Sequence, residues 1–448
     1  MPKLEDVFGV GRGVPLSYVE RSSVDPAFQR ALQRGKHIVL YGGSKQGKTC
    51  LRKHCMEPGE YVVIQCGSTM DLRALQASIL KAAGYRRIQT EQHRNASRRT
   101  FGGEAGVKAL GIGAQIEGRR ESEESRELSF EYPDIDLANP NDIIAALDGV
   151  GFSKRVVLED FHYLSRHTQK QFADTLKGYF EGSDICFIVV GVWREQNRLV
   201  ALNGDLLGRI EEVDVDRWRQ SELVQIAETG AELLNTDIDQ DFAFNLAYHC
   251  HGFVYILQEV CYNVFFEQGG EDERSTARRI GRELHADREI LEVLAQQDGR
   301  YLSLISEIAR GFQRTSLEIY KWLTYSILTC NVRQLETGIP ASELQDRVIE
   351  IHPLGGQLNV GNITQALKSL VRLQNSKGIR PLVFDYDPTA KVLHIVDRGL
   401  LLWIQSLASL GHMEIPLPVP EMDWEEDDWR QKEDDLDDPL VHPASEAS

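Results

Sequence analysis

The stretch HIVLYGGSKQGKTCLRKHC, residues 37–55, places a short, mostly apolar segment directly before a glycine-rich loop. Glycine has no side chain, so such a loop lets backbone N–H groups converge on an anion. The next residues predict a helix that begins at Lys48, and a helix N-terminus carries partial positive charge. The segment GGSKQGKT, residues 42–49, fits the pattern G-x-x-x-x-G-K-S/T in full. The sequence therefore predicts a phosphate-binding loop between a strand and a helix.

This loop supplies the candidate ligands of a nucleoside triphosphate. We expect the Lys48 side chain to face solvent and to reach the outer phosphates, and the Thr49 hydroxyl to ligate Mg²⁺. The expected cofactors are therefore ATP and Mg²⁺. The predicted ATP-binding residues are Gly42, Gly43, Ser44, Lys45, Gln46, Gly47, Lys48, Thr49 and Cys50.

Composition sets the class of protein around this loop. With 448 residues, of which 42% are hydrophobic and 26% charged, the chain can bury a large core and has room for about two or three domains. No segment approaches the roughly 20 apolar residues of a membrane span, and the first residues lack a signal-peptide pattern. The seven cysteines are scattered and show no C-x-x-C spacing, which favours reduced thiols. We expect a cytoplasmic protein with no membrane contact.

The net charge of −18 is concentrated at the C-terminus, where residues 421–448 hold 12 acidic and 2 basic residues. This composition predicts an acidic, disordered tail over residues 413–448. An acidic total argues against indiscriminate DNA binding, but it leaves a local basic patch open.

A second motif, RVVLEDFHYL at residues 155–164, is an apolar run that ends in two carboxylates. This is the Walker B pattern of a buried parallel strand whose C-terminal end faces the nucleotide. By position, Glu159 would hold the metal and Asp160 would polarise the attacking water. The usual order is Asp then Glu, so the sequence leaves the division of roles open. Thr49 and Glu159 are the predicted Mg²⁺ ligands.

Further strand-like segments lie at 61–66 and 184–195 and alternate with helical patterns at about 72–84, 141–150 and 166–181. This alternation predicts an α/β fold, a P-loop NTPase parallel sheet with helices on both faces. The segment DICFIVVGVWRE, residues 184–195, would end beside the Walker B strand. Its Arg194 is either a sensor of the γ-phosphate or a plain surface residue.

Four segments together resemble the nucleotide-binding core of AAA+ and STAND ATPases, especially the Orc-like branch, over roughly residues 15–285. They are YVERSSVDPAFQRAL (18–32), VVLED (156–160), FIVVGVWRE (187–195) and NGDLLGRIEEVDV (203–215). In that family an arginine just before the last core strand enters the neighbouring subunit's site, and Arg209 holds the matching place. The resemblance implies a homo-oligomer whose hydrolysis depends on assembly. The alternative for Arg209 is an ordinary cation at a strand edge.

The chain after the core predicts a helical lid and then a winged helix. Apolar spacing predicts lid helices in 218–285, but HGFVYILQ (251–258) replaces the family's arginine after a glycine. Helical patterns in 286–412 precede two strand-like segments, 380–387 and 391–404, which resemble the C-terminal winged-helix domain of Orc-like ATPases. The predicted domains are an ATPase core at 1–216, a lid at 217–285, a winged helix at 286–412 and the tail at 413–448.

Two basic segments are candidates for partner contact. An insertion at about 86–140 would touch DNA phosphate or an adjoining subunit, or it is a solvated loop; its basic residues are Arg86, Arg87, Arg94, Arg98, Arg99 and Lys108. Four residues suit a recognition helix and wing on DNA: Lys368, Arg372, Lys377 and Arg380. Winged helices also mediate protein contacts, and fold alone does not choose between these partners.

Together these features predict an ATP-dependent switch that assembles with nucleotide and controls a protein effector, in a bacterial defence or conflict system. The alternative is a DNA-binding loader, or a regulator of transposition or replication, that acts through the winged helix. The acidic total favours the effector. A P-loop kinase would need an acceptor site and a basic mobile lid, and a GTPase would need an N-K-x-D signal; the sequence shows neither.

Overall fold

A computed structural model describes residues 2–11, 13–85, 135–269, 279–313 and 315–409. Most of the predicted insertion at about 86–140, with all of its named basic residues, lies outside the described residues, as does the whole predicted tail at 413–448. The strands are β1 (His37–Tyr41), β2 (Tyr61–Gln65), β3 (Arg155–Glu159), β4 (Phe187–Gly191), β5 (Ile210–Asp214), β6 (Asp237–Ile238), β7 (Arg279–Ile280), β8 (Ile339–Pro340), β9 (Phe384–Asp387) and β10 (Val392–Ile395).

The helices of the described residues alternate with the first five strands and then dominate the rest of the chain. They are α1 (Leu4–Phe8), α2 (Val24–Leu32), α3 (Lys48–Cys55), α4 (Leu72–Ala82), α5 (Pro140–Gly149), α6 (Arg166–Gly182), α7 (Arg198–Leu202), α8 (Gln220–Leu233), α9 (Gln240–His249), α10 (Val254–Gly269), α11 (Ala286–Ala295), α12 (Asp298–Arg310), α13 (Ile319–Leu328), α14 (Val332–Thr337), α15 (Ala341–Ile351), α16 (Val360–Ser376) and α17 (Arg398–Ser409). None of them is long and apolar enough to cross a bilayer.

The main sheet contains β1 to β5, all parallel, in the order β2-β3-β4-β1-β5. Successive side chains of a strand point to opposite faces, and β1 shows what covers each face. Ile38 and Leu40 pack with α2 and α3, whereas Val39 and Tyr41 pack with α4, α5 and α6. The predicted α/β parallel sheet with helices on both faces is confirmed.

The strand order also fixes where the loop after β1 and the two acids at the end of β3 lie relative to each other. β4 separates β1 from β3, and the C-terminal ends of parallel strands lie at one edge of the sheet. We call this the carboxyl edge, meaning the loops that follow β1, β3, β4 and β5. The loop after β1 and the acids at the end of β3 therefore open on the same side.

A helical unit follows the sheet, with α8 to α11 around one apolar cluster. The N-terminal α1 packs on it too: the Phe8 and Phe265 rings are 5.1 Å apart, and a Cβ at Gly230 would lie 2.0 Å from the Phe8 ring. The helical pattern at 242–265 is interrupted, because His251 and Gly252 have positive φ between α9 and α10.

The last part of the described chain combines α12 to α17 with a small antiparallel sheet in the order β8-β10-β9. The prediction of a strand-like segment over 391–404 was wrong for its second half. β10 ends at Ile395, and Asp397 then accepts a hydrogen bond from the Gly399 N–H at 2.9 Å, at the start of α17. A continuous apolar run such as residues 400–404 suits a buried helix as well as a strand.

Candidate functional site

The loop at 42–47 joins β1 to α3 at the carboxyl edge, in the strand-loop-helix context that the sequence predicts. Its backbone enters the left-handed region, with φ of 146° at Gly42, 58° at Lys45 and 83° at Gly47. Glycine reaches such angles without steric cost. Gly47 directly precedes the first turn of α3, so the loop leads into a helix N-terminus.

The loop N–H groups already meet oxygen atoms of this chain. The Gly43 N–H donates to Oδ1 of Asp216 at 2.6 Å, and the Ser44 N–H donates to the carbonyl oxygen of Val396 at 3.0 Å. A Cβ on Gly42 would lie 2.8 Å from that Asp216 oxygen, and one on Gly43 would lie 3.0 Å from the Val396 oxygen. The absence of side chains here lets acceptor oxygens approach the backbone, which is what a phosphate requires.

Lys48 is buried, so the expectation that its side chain faces solvent was wrong. The ammonium folds back onto the loop and donates to the carbonyl oxygens of Gly42, at 3.0 Å, and Gly43. Burial lowers the pKa of Lys48 to about 8, and attraction to nearby carboxylates partly offsets that shift. These carboxylates belong to Asp216, Glu159 and Asp160.

The remaining loop residues point in different directions. The Lys45 ammonium lies 3.5 Å from the centre of the Tyr255 ring on α10. The Gln46 amide is fully buried, and neither of its polar atoms has a hydrogen-bond partner among the described residues. Thr49 is exposed on the first turn of α3, whereas Cys50 is half-buried, which raises the pKa of its thiol.

The two acids after the apolar strand differ in their surroundings. Glu159 is buried at the end of β3, and its Oε1 accepts from Nε (3.1 Å) and pairs with Nη2 (3.0 Å) of Arg52. Burial raises the pKa of Glu159, and Arg52 opposes the shift. Asp160 follows with a left-handed φ of 58°. Burial raises the pKa of Asp160 as well, opposed by the charges of Lys48 and Arg380.

Arg194 lies beside the loop at 42–47. It follows β4, and its Nε is 3.7 Å from Oδ2 of Asp216, the carboxylate that accepts from Gly43. Its guanidinium also donates to the carbonyl oxygen of Glu336. Burial lowers the pKa of Arg194. The structure thus brings Arg194, Lys48 and the loop N–H groups to the carboxyl edge.

Arg209 lies at the opposite edge of the sheet. It immediately precedes β5, and its carbonyl oxygen accepts from the N–H of His37, the first residue of β1, at 3.1 Å. Its guanidinium pairs with Oε1 of Glu181 at 2.7 Å and donates to the Asp205 carbonyl oxygen. A parallel strand of five residues spans about 16 Å. Arg209 therefore does not reach the loop at 42–47 of its own chain.

The sequence alone does not predict the roles of several residues around the loop. Arg21 is fully buried; it donates to the carbonyl oxygens of Val215 (3.0 Å) and Gln46 (3.4 Å) and lies 4.5 Å from the centre of the Trp218 ring. Arg52 had a local signal, because it is four residues after Lys48 and so on the same helix face. No local sequence signal predicts the contacts of Asp216, Val396 and Arg398 with the loop region, because these contacts join distant parts of the chain.

Among the described residues, Arg372, Lys377 and Arg380 of the predicted recognition helix and wing contact other parts of the chain, and Lys368 is exposed. The Arg372 guanidinium is 4.8 Å from the Phe312 ring centre, and Lys377 is 3.5 Å from Glu307. The Arg380 guanidinium is 4.7 Å from the ring centre of Tyr163, a residue just after the Walker B acids. Arg380 therefore contacts the ATPase core while it stays exposed to solvent.

With this geometry, the chain is similar to solved structures of ATPases. Over 89% of its length it matches 99% of a Walker-type ATPase of Pyrococcus abyssi, with 13% sequence identity and a TM-score of 0.52. The chain has the fold of a P-loop ATPase. This α/β fold continues into the helical C-terminal region described above.

Two further likenesses are weaker. Cdc6p of Pyrobaculum aerophilum has 11% identity and a TM-score of 0.40, with 91% of this chain and 98% of that chain covered. The Orc1 protein of Aeropyrum pernix, in a structure with DNA, has 11% identity and a TM-score of 0.42, with coverage of 92% and 98%. No protein-family profile and no curated protein sequence matches the chain.

Proposed function

We propose that this chain binds ATP with Mg²⁺ and hydrolyses it, and that it is an AAA+/STAND-like switch. One observation carries the proposal: the loop N–H groups, the Lys48 ammonium and the Glu159–Asp160 pair converge at the carboxyl edge. Backbone donors, a buried cation and two acids are the parts that phosphoryl transfer to water needs.

The residues present fit a triphosphate. Gly42 and Gly43 leave room for oxygen atoms at the loop N–H groups, and Lys48 supplies positive charge in a buried setting. Thr49 and Glu159 would hold Mg²⁺. Glu159 would use its Oε2, because both bonds from Arg52 go to Oε1 and not to Oε2. When bound, Mg²⁺ neutralises charge on the phosphate oxygens.

Asp160 is our candidate for the group that takes a proton from the attacking water. Burial raises the pKa of Asp160, and the positive charges of Lys48 and Arg380 oppose that shift. Arg194 is the candidate sensor of the γ-phosphate, and Arg209 the candidate arginine that completes a neighbouring subunit's site. Because Arg209 is at the far edge of its own sheet, this role requires a homo-oligomer.

The proposed output is control of a protein effector, in a bacterial defence or conflict system and in a reducing, cytoplasmic compartment. The C-terminal element order α13, α14, β8, α15, α16, β9 and β10 supports a winged helix, and the Arg380 guanidinium contacts Tyr163 of the ATPase core. The alternative output is DNA loading or regulation through that winged helix. Sizing the protein with ATP, with and without duplex DNA, separates the two, because only the alternative predicts a larger complex with DNA.

Lys48→Met is expected to weaken ATP binding by about 100-fold or more, because a charge-assisted bond to phosphate is lost. Methionine keeps the buried aliphatic volume, so the loop should still fold. Titration calorimetry with ATP and Mg²⁺ measures the effect. Lys154→Met is the control, because Lys154 is exposed just before β3, at the opposite edge of the sheet.

The control should bind ATP like the unmodified protein. If Lys48→Met binds ATP with unchanged affinity while remaining folded, the loop is not the nucleotide site. If neither the unmodified protein nor the control binds ATP, the proposed function is wrong.

ATP affinity is expected to fall as the pH rises above about 8. In the nucleotide-free protein burial lowers the pKa of Lys48 to about 8, and a bound phosphate raises that pKa again. Binding then takes up a proton, so affinity should fall by up to about tenfold per pH unit until the bound-state pKa is passed. Calorimetry at pH 9 in buffers of different ionisation enthalpy reports the proton uptake. An affinity that is flat from pH 7.5 to 9.5 would contradict this assignment.

A further inference from the structure

The phosphate-binding loop of this chain already holds an anion, the side chain of Asp216. This carboxylate follows β5, is only 9% exposed, and accepts the Gly43 N–H at 2.6 Å through Oδ1. The distance is short for an N–H···O bond, as expected for a charged acceptor. Gly42 makes the approach possible, since a Cβ there would lie 2.8 Å from Oδ1.

Two arginines face the other oxygen of the same carboxylate. Nε of Arg194 is 3.7 Å and Nη2 of Arg398 is 3.8 Å from Oδ2 of Asp216. Both distances exceed those of hydrogen bonds, so these are charge attractions without fixed geometry. Arg398 also donates to the His251 carbonyl oxygen at 3.0 Å. Two cations thus lie around the anion position of the loop, one from the ATPase sheet and one from the C-terminal region.

A carbonyl oxygen of the C-terminal region accepts a hydrogen bond from a second N–H group of the loop. The fully buried Val396 accepts the Ser44 N–H at 3.0 Å, and it lies two residues before Arg398 in the connection between β10 and α17. Gly43 and Ser44 therefore direct adjacent N–H groups at acceptors of this chain. A phosphate that used the same N–H groups would have to displace both acceptors.

We propose that Asp216 substitutes for a nucleotide phosphate in the empty protein, and that a triphosphate displaces it from Gly43 and takes over Arg194 and Arg398 at the terminal phosphate. This inference rests on the proposed ATP binding. It adds one residue that competes with ATP and two that contact the bound terminal phosphate. Because Arg398 and Val396 share one short connection, the exchange of anions also moves the C-terminal region relative to the loop. Asp216 is then a competitor of ATP, and Arg398 a ligand of the terminal phosphate.

A different role for Asp216 makes the opposite prediction. If its carboxylate only holds the loop in the shape that binds phosphate, removing it should weaken ATP binding. If it competes with phosphate, removing it should strengthen binding, since the displaced charge-assisted bond no longer has to be broken. The sign of the change in affinity therefore decides between the two roles.

Asp216→Asn and Asp216→Ala are expected to bind ATP about 10- to 100-fold more tightly than the unmodified protein. Calorimetry with ATP and Mg²⁺ measures this, and circular dichroism checks the fold of each variant. The control is Asp237→Asn in β6, which removes one negative charge from an exposed ion pair with Arg279 of β7. The control should leave the affinity unchanged. Unchanged or weaker binding in both Asp216 variants would overturn the inference while the proposed ATP binding stands.

Arg398→Met tests the other half of the proposal without altering Asp216. The unmodified protein should favour ATP over ADP, and the variant should lose about tenfold of that preference, because the contact with the terminal phosphate is missing. The readout is the ratio of the two dissociation constants, which a general loosening of the C-terminal region would not change. An unchanged ratio would overturn the role of Arg398. If the unmodified protein and every variant fail to bind ATP, the proposed function itself fails.

Discussion

Asp160→Asn is expected to lower the rate of ATP hydrolysis by about 10²- to 10⁴-fold, because an amide cannot take a proton from the attacking water. ATP binding should persist, since the loop N–H groups and Lys48 are unchanged. The substitution suits the backbone: Asp160 has a φ of 58°, and asparagine tolerates this left-handed region. Single-turnover hydrolysis and calorimetry on the same sample measure the rate and the affinity.

Glu159→Gln is the matched comparison, because it also replaces a carboxylate with an amide, at the neighbouring acid. We expect it to weaken the dependence of ATP binding on Mg²⁺, since Glu159 is the proposed metal ligand. If Glu159→Gln instead traps bound ATP with its Mg²⁺ dependence unchanged, the two acids have the reverse roles. That outcome would also mean that the Arg52 pair orients the base and not the metal ligand.

Arg209→Ala is expected to lower ATP turnover by about 10³-fold without changing ATP affinity, because an arginine supplied in trans offsets charge on the transferring phosphoryl group. The guanidinium pairs with Glu181 at the edge of the sheet away from its own loop, so it would act only in a neighbour. In the unmodified protein the specific activity should then rise with protein concentration as subunits associate. Arg288→Ala is the control, since Arg288 is exposed on α11 and pairs with Glu292 of the same helix.

Mixing two inactive variants tests the same assignment independently. An Arg209→Ala subunit keeps its own loop, and a Lys48→Met subunit keeps its arginine, so the mixture should recover part of the activity. Recovery requires an interface that places one chain's arginine against another chain's γ-phosphate. Activity independent of concentration, with no recovery on mixing, would leave Arg209 as a cation at the strand edge.

The parts of the fold that the sequence predicts are those fixed by local pattern. Apolar runs of strand length before Gly42 and Asp160 predict buried parallel strands, and the structure has β1 and β3 there. The loop glycines are likewise predictable, because their purpose is to remove side chains from an anion site. Local pattern failed at residues 391–404, where Asp397 starts a helix that the apolar run alone does not distinguish from a strand.

The parts of the site that the sequence does not predict depend on tertiary contact. Lys48 is buried, and Asp216 and Val396 accept hydrogen bonds from the loop N–H groups, yet no spacing in the sequence connects residues 48, 216 and 396. Likewise, Arg380 has the charge and position of a DNA-contacting residue, yet its guanidinium lies over Tyr163 of the ATPase core. This contact joins distant parts of the chain, so the sequence does not predict it.

The central claim is that the loop at 42–49 is the site of nucleotide phosphate, and a crystal structure with a non-hydrolysable ATP analogue and Mg²⁺ tests it most directly. We expect phosphate oxygens within hydrogen-bond distance of the Gly43 and Ser44 N–H groups, with the Lys48 ammonium turned from the loop carbonyls to the phosphates. The Asp216 carboxylate and the Val396 carbonyl should have left those N–H groups. A nucleotide bound elsewhere, with Asp216 still on Gly43, would contradict the claim.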